Sequence, residues 1–245
     1  MPGAEPWSAA GGTNGALVLH GFTGTPQSMR GLAEAFAQAG FTVELPLLPG
    51  HGTSVDDMAA TGFADWSAAA ERAYDDLAAR CERVVVAGLS MGGTLTLWLA
   101  ARHALAGIVC INAATQPQGP EVIAAIQGML DGGTELAPGI GSDIADPDAV
   151  ETAYPETPIA PLLSLMEGLT ALGPMLPQVA CPVLVMTSPQ DHVVPPVQSD
   201  FLAASVAGPV ERVTLERSYH VATLDYDKAE IERRTVQFAL KVTAG

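Results

Sequence analysis

The segment Gly88-Leu89-Ser90-Met91-Gly92-Gly93 follows Val84-Val85-Val86 and precedes Leu95-Thr96-Leu97-Trp98-Leu99-Ala100. A run of adjacent β-branched residues reads as a strand covered on both faces, and the apolar stretch after it reads as a helix. Ser90 therefore lies in a strand-to-helix turn. Such a turn strains the serine backbone, and glycines two places before and after it remove the Cβ collisions that would follow. The strain pushes the hydroxyl out at the carboxyl edge of a sheet, where open α/β folds bind ligands. The helix start beneath it offers unpaired N–H groups to an oxyanion.

The rest of the chain alternates in the same way. Strands are expected over 16–19, 41–45, 83–87, 107–111, 183–187 and 210–215, and helices over 29–38, 64–80, 91–102, 197–206 and 228–241. Strand and helix in turn imply a parallel, doubly wound sheet with helices on both sides. The interval from Asn112 to Ala180 breaks this rhythm. Its apolar segments, Val122 to Leu130 and Ile159 to Leu176, do not read as core strands. Residues 113–179 are therefore expected to form a helical cap inserted after the strand ending at Ile111. Residues 1–112 and 180–245 would form the core.

A serine hydroxyl needs a base, and the base needs an orienting carboxylate. In the fold built around such a turn these follow in the order Ser, Asp or Glu, His. Asp191 follows the strand over 183–187, and His220 follows the strand over 210–215, both at the edge that carries Ser90. His192 also sits at that edge, but a neighbour of Asp191 can hardly present its far ring nitrogen to that carboxylate, so it reads as loop structure. His103 reads as a helix cap, and Asp225 and Asp227 as the opening of the last helix. The loop after the first of these strands, His20-Gly21-Phe22-Thr23-Gly24-Thr25, brings backbone close to the serine. The N–H groups of Phe22 and Met91 are the expected oxyanion donors. His20 and His51 read as side chains that shape their loops.

Charge limits the partners. Eleven Lys and Arg stand against twenty-seven Asp and Glu, a net charge of −16. Nucleic-acid binding needs a basic footprint, which is missing, and an anionic membrane would repel the chain. Any contact with a membrane or micelle is expected to be transient and made through the cap. The five histidines show no HxH or HxxxH spacing, and no G-x-G-x-x-G follows the first strand, so neither a metal nor a dinucleotide cofactor is expected. Three cysteines without CxxC spacing, and a start lacking a basic and then apolar leader, fit a cytoplasmic protein. A monomer or weak homodimer is expected.

Several runs carry a more specific likeness. His20-Gly21-Phe22-Thr23-Gly24-Thr25-Pro26, the Ser90 turn, Asp191-His192-Val193-Val194-Pro195-Pro196 and Ser218-Tyr219-His220-Val221-Ala222-Thr223-Leu224-Asp225 resemble the bacterial monoacylglycerol lipases. So do Ile111-Asn112-Ala113-Ala114 and Gly141-Ser142-Asp143. The resemblance covers the chain from about Ala16 to its end. It implies an α/β-hydrolase fold with Ser90 as nucleophile, His220 as base and Asp191 as its partner. It also implies a cap with an apolar tunnel for the acyl chain and a small polar pocket for glycerol. Leu162, Leu163, Met166 and Leu169 are the expected lining, and Glu156 is the expected glycerol contact. The expected substrate is a small lipid ester, a monoacylglycerol. The alternative is a general short-to-medium-chain carboxylesterase or thioesterase.

Overall fold

The structure, a computed structural model, describes residues 1–139 and 142–244. In chain order its strands are β1 (Trp7–Ala9), β2 (Asn14–Leu19), β3 (Thr42–Leu45), β4 (Arg83–Leu89), β5 (Gly107–Ile111), β6 (Leu136–Pro138), β7 (Glu156–Pro158), β8 (Val183–Thr187) and β9 (Val210–Thr214). The helices are α1 (Arg30–Gln38), α2 (Val55–Ala59), α3 (Phe63–Ala78), α4 (Met91–Ala100), α5 (Pro120–Asp131), α6 (Ile159–Leu172), α7 (Val197–Ser205) and α8 (Lys228–Thr243). Short 3-10 turns precede α1 at Pro26–Met29 and follow α6 at Gly173–Gln178.

Seven strands form one sheet in the order β1-β3-β2-β4-β5-β8-β9. All neighbours are parallel except β1, which runs antiparallel to β3. Alternate residues of the central strands feed two cores. Leu17, Leu19, Val84 and Val86 pack with Trp66 and Leu77 of α3 and Leu95, Leu97 and Leu99 of α4. Ala16, Val18, Val85 and Ala87 pack on the other face with Leu32 and Phe36 of α1 and Ile231 and Phe238 of α8. Both faces are dry, which is why these strands show no polar alternation.

The chain leaves β2 toward β3 on one side, whereas the later strands extend to the other. The crevice beyond the carboxyl ends of β2 and β4 is therefore a topological switch point, where such sheets take their ligands.

Three elements differ from the sequence expectation. The short edge strand β1 and the short helix α2 have no long apolar period to reveal them. The interval 113–179 is not purely helical, because β6 and β7 pair as a two-stranded antiparallel ribbon between α5 and α6. None of the residues of α5 is buried. By length and hydropathy, residues 159–178 could cross a bilayer, but here they pack on α3, α4 and α5.

Candidate active site

Ser90 joins β4 to α4 with φ 55° and ψ −120°, a region that L-residues rarely occupy. Its N–H donates to Ile111 O at 3.0 Å, and its carbonyl accepts from Gly93 N–H and Thr94 N–H at 2.9 and 3.2 Å. These bonds hold the strained residue. The flanking glycines answer to close packing. A Cβ on Gly88 would lie 2.1 Å from Gly92 O, and one on Gly92 would lie 2.1 Å from Leu19 O. No side chain fits at either place.

His220 Nδ1 lies 2.7 Å from Asp191 Oδ2. Their side chains are 8% and 1% exposed. Asp191 Oδ1 accepts from Val193 N–H and Val194 N–H, each at 2.8 Å, so its carboxylate cannot swing away. An ionised carboxylate only accepts, so the proton of a neutral His220 sits on Nδ1 and the lone pair on Nε2. Ser90 and His220 line the same small cavity. Among the described residues the Ser90 hydroxyl makes no hydrogen bond.

The loop carrying His220 has no regular structure, and groups from elsewhere hold it. Asn112, at φ 43° just past β5, donates from Nδ2 to Tyr219 O and His220 O at 3.2 and 2.8 Å. Ser188 Oγ donates to Tyr219 O at 2.9 Å. Tyr219 N–H donates to Asp225 Oδ2 at 2.9 Å, and His220 N–H to Asp143 Oδ2 at 3.1 Å. Asp225 is fully buried and also accepts from Ala145 N–H and Asp146 N–H. Asp225 and Asp227 stand at the opening of the last helix as expected, Asp227 as its N-cap residue with its carbonyl accepting from Ile231 N–H at 2.9 Å, but their carboxylates serve elsewhere. Asp227 stands before Lys228 but makes no side-chain cap, and its carboxylate accepts from Arg217 N–H and Ser218 Oγ. His103 caps the end of α4 through its backbone, its N–H donating to Leu99 O at 2.9 Å, while its side chain turns to Glu71 and its ring lies on Tyr74. His192 is 62% exposed and turns Nδ1 to Asp143, away from Asp191.

The expected oxyanion donors flank Ser90. Among the described residues neither Phe22 N–H nor Met91 N–H donates to a protein acceptor. The Gly21 position passes close to the serine, a Cβ there lying 3.4 Å from Ser90 Cβ. His20 controls this loop. Leu48 N–H donates to His20 Nε2 at 3.1 Å, which leaves the proton on Nδ1, 3.0 Å from Gly21 O. The Gly21 carbonyl and the Phe22 N–H share one peptide plane and point opposite ways. Holding the carbonyl on His20 therefore turns the N–H to the far side. Burial lowers the His20 pKa from 6.5 to about 3, helped by the neighbouring His51. Burial lowers that of His51 to about 4. Both rings are neutral over the working range, and they stack edge-on in a row with Trp66 and Phe22.

Two cavities meet at Ser90 and Phe22. One, of about 550 Å³, is walled by Leu162, Leu165, Met166, Leu169, Val193, Val194 and Val197, with Gln116, Gln118 and Gln198 among its polar members. The other, of about 50 Å³, is bounded by Thr23, Glu151, His220 and Val221. Leu163 does not line the larger cavity. Positions 162, 165, 166 and 169 share one stripe of α6, and Leu163 lies a hundred degrees round from Leu162 among buried residues. Glu156 is not brought to either cavity. It is exposed on β7, opposite Pro138. The acid that lines the smaller cavity is Glu151. Burial raises its pKa from the usual carboxylate value, opposed by the nearby His220 and a hydrogen bond with Ser142. Nothing local in the sequence marks Glu151 among the acids from Asp143 to Glu156. Of the Gly141-Ser142-Asp143 run, Gly141 lies outside the described residues. Among the described residues no cluster of His, Cys, Asp and Glu is suited to a metal.

Comparison with known proteins places this geometry. The model of the alpha/beta hydrolase family matches residues 16–234. A thermostable monoacylglycerol lipase of Bacillus sp. (strain H-257) is 48% identical, over 98% of this chain and 96% of that one. A carboxylesterase of Bacillus subtilis (strain 168) is 25% identical, over 97% of each. A solved structure of a metagenome-derived lipolytic enzyme, one of the pair LipS and LipT, superposes with a TM-score of 0.93 at 45% identity, covering 98% of this chain and 99% of its own.

Proposed function

We propose, from the premise that the chain belongs to the alpha/beta hydrolase family, that it is a serine ester hydrolase cleaving monoacylglycerols to fatty acid and glycerol. His220 Nε2 takes the Ser90 proton as Oγ attacks the ester carbonyl. The oxyanion forms against Phe22 N–H and Met91 N–H, two donors with no competing acceptor among the described residues. As the tetrahedral intermediate collapses, the C–O bond breaks and the departing glycerol oxygen takes the proton from His220. Water then gives a proton to the same nitrogen as it attacks the acyl-enzyme, and when the C–Oγ bond breaks that proton passes from His220 to Ser90 Oγ, releasing the fatty acid and restoring the serine. Asp191 keeps Nδ1 protonated and balances the imidazolium at each step.

The observation that carries the substrate assignment is the inequality of the two cavities at Ser90. The larger is apolar enough for an acyl chain. The smaller, about 50 Å³, is about a tenth of the larger, about 550 Å³. It has room for a small polar fragment and none for a second acyl chain. Glu151 and Thr23 supply its polar wall. Residues 113–179 act as the cap. Contact with a lipid aggregate is made transiently through the cap, where Val122 and Met129 are exposed on α5.

The test is a substrate series with Ser90→Ala as blank: monoacylglycerols of rising chain length, di- and triacylglycerols, and matching methyl esters. Turnover concentrated on monoacylglycerols is expected. Glu151→Gln should lower kcat/KM for them by about 10–100-fold, the equivalent of one charge-assisted hydrogen bond, and leave methyl esters unchanged. Equal rates on methyl esters, unaltered by Glu151→Gln, would replace this reading with a general carboxylesterase.

A further inference from the structure

Asp143 belongs to the interval 113–179, yet its contacts are with the two loops that carry the reacting acid and base. Oδ2 accepts from His220 N–H at 3.1 Å and from His192 N–H at 3.0 Å, and Oδ1 lies 2.8 Å from His192 Nδ1. Its own carbonyl accepts from Val221 N–H at 3.0 Å. Three consecutive backbone donors, those of Tyr219, His220 and Val221, thus end on Asp225, Asp143 and Asp143. Two of these three bonds come from one residue outside the loop. Without them the backbone N–H groups of His220 and Val221 would lose their acceptors, and the loop would be held by Asn112 and Ser188 at its carbonyls and by Asp225 at Tyr219 N–H.

We propose that Asp143 is a positioning residue for His220. Its carboxylate gathers the backbone N–H groups of His220 and of His192, the neighbour of Asp191, onto one oxygen. It thereby fixes the imidazole relative to Asp191 and to Ser90. The role needs one oxygen that accepts from two N–H groups at once, which a carboxylate does with charge-assisted bonds and an amide oxygen does with weaker, uncharged ones. Two residues further on, Ala145 and Asp146 bind Asp225. The segment 143–146 is therefore fastened to the loop of the reacting histidine by two carboxylates. The same segment leads to Glu151, so base and polar cavity wall are registered to each other by this joint. The inference rests on Ser90, Asp191 and His220 being the reacting set.

The experiment compares Asp143→Ala, Asp143→Asn and His192→Ala by kinetics and by proton NMR of the His220 Nδ1–H, which a short bond to Asp191 moves to low field. A misplacement of the order of an ångström at a reacting group costs about a hundredfold in rate. For Asp143→Ala we expect kcat to fall about 10–100-fold with KM changed less than about threefold, and the low-field resonance to broaden or vanish. Asp143→Asn should fall between. His192→Ala leaves both Oδ2 bonds in place and should keep kcat and the resonance. A folded Asp143→Ala protein with full kcat and an unmoved resonance would overturn the proposal. So would loss of folded protein in both Asp143 variants, which would assign the residue to stability alone. If Ser90→Ala retained activity, the reacting set itself would be wrong, whatever Asp143 does.

Discussion

Lowering the pH from about 7.5 to about 5 tests the burial of His20 and His51 directly. Folding depresses their pKa values from 6.5 to about 3 and about 4. In the unfolded chain both rings protonate below about 6.5, whereas in the folded chain they stay neutral. The unfolded state then binds more protons, so stability is complete above the unfolded value. It is lost as the pH falls toward the folded values and levels off below them. At pH 5 each ring has gone about 1.5 units past its unfolded value, a loss of ~2 kcal/mol per ring and ~4 kcal/mol together. That is a large part of the ~5–15 kcal/mol that holds a domain folded. Glu151, whose pKa is raised, binds its proton more readily when folded and opposes this loss. A variant isolates the histidine share. His51→Asn keeps an N–H near the place of Nδ1, which faces Pro49 O at 3.0 Å, and removes one titrating group. Urea unfolding at both pH values should show the wild type losing ~2 kcal/mol more than the variant. NMR of the histidine C–H protons should show two rings that do not titrate above about pH 4.5. Equal losses in the two proteins, or five histidines all titrating near the ordinary value, would refute the burial of this pair as the source.

Other outcomes follow from the walls of the site. Met166→Trp fills part of the cavity of about 550 Å³ and should shift preference toward shorter acyl chains. The expected change in the long-to-short ratio of kcat/KM is about tenfold or more, read with the same substrate series. Gly92→Ala sets a methyl 2.1 Å from Leu19 O, where backbone must move on both sides. It should cost about 3 kcal/mol or more and lower Tm sharply, whereas Gly128→Ala, with open space around it on α5, should be tolerated.

The elements legible in the sequence are those whose signal is local. Six parallel strands announce themselves by β-branched runs, and the reading of their ends is off by two residues at most. Strand β4 continues to Leu89 because the turn at Ser90 is so abrupt that the strand runs up to it. Strand β1 is too short for any period, and its place is set by pairing with β3. Three of the four expected α6 residues, Leu162, Met166 and Leu169, line the larger cavity. An α-helical period starting at Leu162 selects 165, 166 and 169, and applying it strictly would have exchanged Leu163 for Leu165. Asp225 and Asp227 are legible as the opening of α8, where acidic side chains usually serve the helix N-terminus. Here the carboxylates are taken by the backbone of the His220 loop instead.

The two sides of the site differ in how they are built, and this explains why Glu151 was invisible and Glu156 was not its equivalent. The apolar wall stands on a regular helix, so its residues follow a fixed angle. The polar wall stands on an irregular run placed by distant hydrogen bonds. Gln27 donates to Val150 O and accepts from Thr152 N–H, Tyr154 OH donates to Gly50 O and accepts from Thr53 N–H, and Tyr154 N–H donates to Thr23 O. These bonds bracket residue 151 and aim it at His220, while residue 156 has already entered the ribbon that leads outward. The partners of such a run lie about a hundred residues away and have no periodic relation to it. Selectivity for the acyl chain can therefore be adjusted one side chain at a time on α6. On the proposed reading, selectivity for the leaving group instead rests on a backbone course held by Gln27 and Tyr154 near Glu151 and by Asp143 and Asp225 at the His220 loop, so a change at Gln27 or Tyr154 should move Glu151 and one at Asp143 or Asp225 should move His220.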